Sequence, residues 1–305
     1  MSCESSGIIV IDKPESMSSA GVVAAVKKRL QAKKVGHAGT LDPFATGVLV
    51  CCINKATRLA DFFLKGNKKY EAVLHLGIET DTQDATGNIT ATGEIDHILE
   101  HHITSVIQQF QGEIKQRPPA YSALKHKGVP LYKYARKGQP IFKPERDTFI
   151  SYINIMDIHL SEIHFEVSCK SGTYVRTLGA DIGRALGCGG HLKKLRRIES
   201  SGFSIKDAVN FSEIDKISAD PPDGLLRKLV SMTDALPNLP EFIASDMLAT
   251  KIMHGRKITE KDIVLPNIND GGAFIKILDT SHNLIAIVQF NKEESSYTYF
   301  CVLSN

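Results

Sequence analysis

The stretch richest in chemical potential is Gly36-His37-Ala38-Gly39-Thr40-Leu41-Asp42-Pro43. Proline at 43 pushes the backbone of Asp42 away from the α region, and the flanking glycines let another molecule approach closely. Such a loop presents one carboxylate between two regular elements, as a nucleophile or a charge stabiliser would be presented. An acid hydrogen-bonded to its own turn fits the same residues. Ser171-Gly172-Thr173-Tyr174-Val175-Arg176 lies at a strand-to-helix transition. Its arginine either pairs with a buried carboxylate or sits on the surface.

Charge is unevenly spread. The 305 residues carry a net +3, but the segment from Lys115 to Arg146 holds nine basic residues and one acid. That segment is +8, so the rest of the chain is −5, the footprint of a polyanion binder. Tyr121, Tyr132 and Tyr134 interleave with its basic residues, among them Lys125 and Lys133. Positive charge to track phosphates and rings to stack bases suit looped or single-stranded nucleic acid, although a solvated basic loop has the same composition. Lys193-Lys194-Leu195-Arg196-Arg197 reads as a second basic cluster.

Other motifs carry less. His97-Ile98-Leu99-Glu100-His101 matches a short zinc-protease pattern but lacks a third ligand, so it reads as a solvated helix start. Gly187-Cys188-Gly189-Gly190 lacks the spacing of a phosphate loop and reads as a helix C-cap. Asp81 and Asp84 do not complete a calcium loop. The cysteines at 3, 51, 52, 169, 188 and 301 form no C-x-x-C pair, which argues against a zinc ribbon and for a reduced cytosol. A glycosidase would need a second acid in a comparable loop, and none stands out.

The elements that must position these groups follow from periodicity. Residues 7–11 form a buried strand, and Ser18 or Ser19 caps a helix with Val22, Val26 and Leu30 on one face. Residues 35–47 read as loop and 48–53 as strand. Asn54 is placed to cap a helix carrying Ala56, Leu59, Ala60, Phe63 and Leu64. Tyr70, Ala72, Leu74 and Leu76 alternate as a strand, and a polar turn leads to a second strand near 89–95. Ile103, Val106, Ile107 and Phe110 mark a helix, and Ile163 to Cys169 alternate as a strand. Leu178, Ile182 and Leu186 form a helix stripe ended by Gly187. Four of the twelve prolines fall at 221–240, which reads as a linker. A helix near 245–254 and strands at 273–278, 284–290 and 297–303 follow. Apolar residues make up 42%, enough for a real core. No apolar run approaches the ~20 residues of a membrane helix, and the N-terminus lacks the pattern of a secretory signal.

Taken in order, these segments resemble the TruB family of tRNA pseudouridine synthases. The resemblance is carried by Asp12-Lys13-Pro14; GHAGTLDPFATGVL at 36–49; Lys55-Ala56-Thr57-Arg58; Lys69-Tyr70; Thr80-Asp81-Thr82 with Asp84 and Gly87; Tyr121-Ser122-Ala123-Leu124-Lys125; Leu131 to Arg136; Gly172 to Leu178; and Leu195-Arg196-Arg197. It spans about residues 7 to 205, with Ala38 and Val50 departing from the commonest pattern.

The resemblance implies an α+β fold: a pseudouridine-synthase core with a central mixed or antiparallel sheet flanked by helices, and a small C-terminal PUA-like β-barrel. It implies a catalytic domain over 1–235, with an RNA-clasping thumb at about 110–146, and an RNA-binding domain over 241–305. The implied substrate is uridine 55 in the TψC loop of the tRNA T-arm, isomerised to pseudouridine. Asp42 is the implied catalytic carboxylate, Arg176 its partner in catalysis and Tyr70 the catalytic ring that stacks on uracil and handles a proton during turnover. Tyr174 contacts the nucleotide, Leu195 closes the pocket, and His37 fills the space the uridine leaves. Lys13, Arg58, Lys125 and Lys133 are implied RNA contacts. No cofactor or metal is expected, because the reaction has no redox change and no external group. A guide-free, cytoplasmic monomer with no membrane partner is implied. A tRNA-folding chaperone with secondary or absent catalysis is the alternative.

Overall fold

The computed structural model describes residues 4–159, 161–216, 223–263 and 273–303. The apolar run at its start becomes strand β1 (Gly7–Lys13), buried on both faces. Ile9 and Ile11 meet helix α1 (Ser19–Leu30) on one side, while Ile8 and Val10 enter a second cluster on the other. Helix α1 begins where Ser18 accepts the N–H of Gly21 at 3.0 Å, and it buries Val22, Val26 and Leu30.

Seven further strands build the central sheet: β2 (Thr46–Ile53), β3 (Lys68–Leu76), β4 (Gly112–Gln116), β5 (Arg146–His159), β6 (Glu162–Cys169), β7 (Gly190–Ser200) and β8 (Val209–Asn210). Their spatial order is β8-β1-β2-β7-β3-β6-β5-β4, with the short strands Val35–His37 and Phe203–Ser204 attached to β2 and β7. Helices α2 (Glu100–Gln108) and α3 (Val175–Ala185) close the β3–β6 half over Leu74, Phe165, Val167 and Leu192.

Most neighbours run antiparallel. The two halves join at a short parallel seam, where Thr46 and Gly47 of β2 face Arg196 and Arg197 of β7. Gly47 has φ +101°, and a Cβ there would overlap the Arg197 backbone, so only glycine fits the seam. Register then places Gly47, Arg197, Tyr70 and Val167 side by side across four strands.

Three local expectations are corrected. Residues 35–47 are not all loop, because Val35–His37 pairs with Cys51–Ile53. Asn54 does not cap a helix. It sits at φ +50°, accepts the N–H of Lys34 and donates to the Ser5 carbonyl, and the apolar stripe after it is a 3₁₀ turn (Asn54–Leu59) running into Ala60–Leu64. The proline-rich stretch is not a free linker. Leu225, Ala235 and Leu236 are buried, and Val230 pairs with Ile8. Cys3 and positions 221–222 of that stretch lie outside the described residues.

The C-terminal residues form β9 (Glu241–Ile243), α4 (Asp246–Met253), β10 (Ile258–Thr259), β11 (Phe274–Leu278), β12 (Leu284–Asn291) and β13 (Ser296–Val302), in the sheet order β9-β11-β12-β13-β10. One face is covered by Leu248 and Ile252 of α4. From the other, Leu278, Leu284 and Ile287 join Ile8, Val10, Val48 and Val50 in one cluster. Phe62 meets Phe274 and Phe300 edge-on, at centroid distances of 5.5 and 6.0 Å.

Candidate active site

The loop bearing Asp42 is tied down on both sides of it. Ser19 Oγ accepts the N–H of Leu41 at 2.8 Å and donates to its carbonyl at 3.0 Å. The buried Lys13 donates to the carbonyls of Met17, Pro14 and Pro43 at 2.6, 2.8 and 3.2 Å. Leu41, Phe44 and Ala45 point into the core. The Asp42 side chain is left 35% exposed, facing a cavity of about 350 Å³.

Arg176 arrives from the first turn of α3 and is 3% exposed. Its Nε donates to Asp42 Oδ2 at 2.8 Å, its Nη1 to the Thr82 carbonyl at 2.6 Å and its Nη2 to the Tyr121 carbonyl at 2.8 Å. A second carboxylate, Asp84, stands 3.4 Å from Nη1. Asp84 is itself buried and accepts the Thr86 hydroxyl, the Thr82 hydroxyl and the Thr86 N–H at 2.6–2.9 Å. A buried guanidinium needs such compensation, and here it doubles as a rigid mount for Asp42.

Tyr70 lines the same cavity from β3. Burial raises its hydroxyl pKa, with neighbouring Arg197 pulling it back, so at neutral pH the ring is an uncharged phenol. Arg197 is buried beneath the Asp42 loop, donating to Val48 O at 2.7 Å and Gly39 O at 3.1 Å. Leu195, two residues earlier on the same face, closes the floor. Tyr174 forms a wall. Its backbone is bracketed by the Gln116 side chain at 3.0 and 3.2 Å, and the Arg146 guanidinium lies 5.2 Å over its ring.

Five cations and one carboxylate border this cavity: Lys68, Arg146, Lys170, Arg176 and Arg197 around Asp42. The balance suits a phosphate-bearing ligand whose reacting carbon faces the acid. A larger cavity of about 880 Å³ lies beneath the insertion, between Phe110, Phe142 and Arg184. It lacks Asp42, Tyr70 and Arg176, so size is a poor guide to the site here. Among the described residues no group of His, Cys, Asp and Glu is arranged to hold a metal ion.

Other expected contacts are placed differently. Lys13 is a strut under the Asp42 loop, with its charge spent on three carbonyls; burial lowers its pKa to about 8, against the pull of Asp42. Arg58 donates to the Val302 carbonyl and so joins the two sheets away from the cavity. His37 lies on the short strand beside β2, outside the cavity lining, and its Nδ1 is buried without a partner. Burial, then Arg197, lowers its pKa, leaving a neutral ring. Lys125 and Lys133 are exposed on the insertion. The cluster at 193–197 is not one surface: Arg196 pairs with Asp12 at 2.7 Å and Arg197 is buried. Lys68 and Gln116 escape the motif reading because neither stands out by type, while Asp84 and Arg146 are named there without their partners Arg176 and Tyr174. Arg197 carries one usable signal, its i+2 spacing from the apolar Leu195.

The arrangement has counterparts. The fold superposes on an H/ACA RNP bound to a substrate RNA containing 2′-deoxyuridine, with TM-score 0.74, 26% identity, and 98% of this chain and 85% of that chain covered. It superposes similarly on a Cbf5-Nop10-Gar1 complex, with TM-score 0.72, 27% identity, and 98% and 87% covered. Residues 27–175 match the model of the TruB family pseudouridylate synthase N-terminal domain. Residues 176–236 match that of the tRNA pseudouridylate synthase B C-terminal domain. Fold and site thus define a pseudouridine synthase, an isomerase with an α+β core. The chain belongs to the TruB family. Similar relatives include proteins named tRNA pseudouridine synthase B from Syntrophotalea carbinolica, 44% identical over 77% of this chain and 76% of that one, and from Syntrophus aciditrophicus, 39% identical over 93% and 91%.

Proposed function

We propose that this enzyme converts uridine 55 in the TψC loop of tRNA to pseudouridine. The observation that carries the reading is the Asp42–Arg176 pair, held at 2.8 Å at the wall of a cation-bordered cavity that also contains Tyr70. The uridine flips out of its loop at an unstacking cost of a few kcal/mol and enters this cavity. Asp42 acts at the sugar and base as the N1–C1′ bond breaks, either by covalent attack or by stabilising the cationic sugar. The freed uracil turns while Tyr70 stacks on it. The C5–C1′ bond then forms, C5 loses its proton and N1 gains one. Substrate and product are isomers, so the balance needs no oxidant, metal or external group.

Tyr174 and Leu195 shape the pocket, and His37 approaches the vacated loop. Lys125 and Lys133 of the insertion at 110–146 clasp the T-arm, within a catalytic domain over 1–235. Residues 241–305 act as a PUA-like RNA-binding barrel on the acceptor stem. The protein works as a cytoplasmic, guide-free monomer. Relatives named for tRNA over more than nine-tenths of this chain support the substrate, whereas the solved neighbour is an H/ACA RNP bound to a substrate RNA. The test is to incubate the purified chain with an unmodified tRNA transcript and map pseudouridine. Modification at position 55 without added RNA is expected. Modification elsewhere, or only with a guide, overturns the assignment. Improved tRNA folding with no pseudouridine would make it a chaperone.

A further inference from the structure

One cavity wall has no part in the mechanism above. Leu64 ends the short helix Ala60–Leu64, and it stays 42% exposed while Leu41, Val175 and Leu195 around the same cavity are buried. A lone exposed leucine needs no explanation. The way this one is held does. Its carbonyl accepts from Lys68 Nζ at 2.5 Å and from Ser171 Oγ at 2.7 Å. Lys68, itself buried, gives its other contact to the Gly66 carbonyl at 2.5 Å. Desolvating an ammonium to fix a surface turn works against stability. Ser171 reaches over from the loop before α3, at the facing rim. The Leu64 Cδ1 methyl sits over Gly39 of the Asp42 loop, where a Cβ would touch it. Its own following turn and the loop before α3 therefore hold the backbone of one exposed leucine at the mouth of a strongly cationic cavity.

RNA offers few apolar surfaces, and the principal one is the face of a nucleobase. We infer that Leu64 is a substrate-contacting residue that packs on the base next to the uridine entering the cavity, and that Lys68 and Ser171 are its positioning residues. This rests on the cavity receiving the uridine, as proposed above.

The test uses the full chain as wild type, Leu64→Ala, Leu64→Gln, Leu64→Met, Ser171→Ala and the Leu64→Ala/Ser171→Ala double variant. Each is assayed for melting, for single-turnover pseudouridine formation on a tRNA transcript, and for fluorescence with 2-aminopurine beside the target uridine. Leu64→Ala and Leu64→Gln are expected to melt with wild type yet lose about tenfold in kcat/KM, equivalent to about 1.4 kcal/mol. Both should leave the aminopurine brighter, because its face is less covered. Leu64→Met, close in volume and still apolar, should return to within about threefold of wild type. The double variant should be no worse than Leu64→Ala, because Ser171 acts through Leu64. Wild-type efficiency and fluorescence in Leu64→Gln overturn the contact. Additive losses in the double variant overturn the positioning. A wild type that binds tRNA without forming pseudouridine refutes the function proposed above instead, and the fluorescence difference still decides the contact.

Discussion

Asp42 and Arg176 are 134 residues apart in sequence and meet at 2.8 Å. Asp42→Asn keeps the shape and leaves Arg176 with Asp84 and two carbonyls, so the fold should survive. The expected variant melts near wild type, binds tRNA with nearly unchanged affinity and forms no detectable pseudouridine. Turnover within about tenfold of wild type, only about 1.4 kcal/mol of barrier, would sink the assignment. Tyr70→Phe keeps a ring whose stacking is worth roughly 1–3 kcal/mol. Near-normal affinity with depressed turnover is expected, and unchanged turnover would remove the hydroxyl from proton handling. Lys68 supplies a pH signature. Burial lowers its pKa from 10.5 to about 8. Between those values the unfolded chain holds a proton that the folded one has lost, so native stability gains as pH rises and loses that gain as pH falls through 8. Lys68→Met should flatten this rise, by up to about 3 kcal/mol between pH 8 and 10.5, in urea unfolding followed across that range. An identical slope in both proteins would show that the ammonium is not desolvated. Asp42 stands out in the sequence by its Gly- and Pro-flanked loop, whereas Tyr70 reads only as a strand position and Arg176 only as a strand-to-helix residue until the family resemblance, and here the cavity, groups them. Lys68 is not legible, and Asp84 is legible only as a motif residue, because their importance lies in which carbonyls and cations the fold turns toward them.

At the scale of elements, periodicity finds most strands and helices, as with Tyr70 to Leu76 on β3 and Leu178 to Leu186 through α3. It fails where the backbone departs from repeat geometry, as at the left-handed Asn54, and where a chain that reads as loop or linker is bound by distant partners, as at Val230. The insertion is half-legible for a similar reason. Its charge is plain, but the carbonyl of its Tyr121 fixes Arg176, and its Ala123 and Leu124 line the cavity. The basic insertion therefore also helps to build the cavity. Neutralising the exposed Lys125, Lys127 and Lys133 should test the clasp alone. Binding to tRNA should weaken, and its salt dependence flatten by roughly 0.7–0.9 in log–log slope per lost phosphate contact. An unchanged slope would place the RNA elsewhere.

For the whole molecule, the C-terminal sheet completes an apolar cluster on the back of β1 and β2 rather than hanging from a tether. Removing residues beyond Asn238 would strip Leu278, Leu284 and Ile287 from that cluster, at about 1.5–3 kcal/mol for each aliphatic partner left exposed. The truncated chain should melt at least about 10 °C lower, by scanning calorimetry, whatever its effect on RNA affinity. An unshifted melting temperature would show the contact to be dispensable. The pairing of Ile8 with Val230 has a consequence of another kind. Strand β1 is completed by a segment translated long after it, and the seam under Asp42 waits for Arg197. At about 5–20 residues per second, the nascent chain spends roughly ten to forty seconds with an apolar edge open. Non-local closure of this kind is slow to search. Until that closure the unpaired edge of β1 is a place where association between unfinished chains competes with folding.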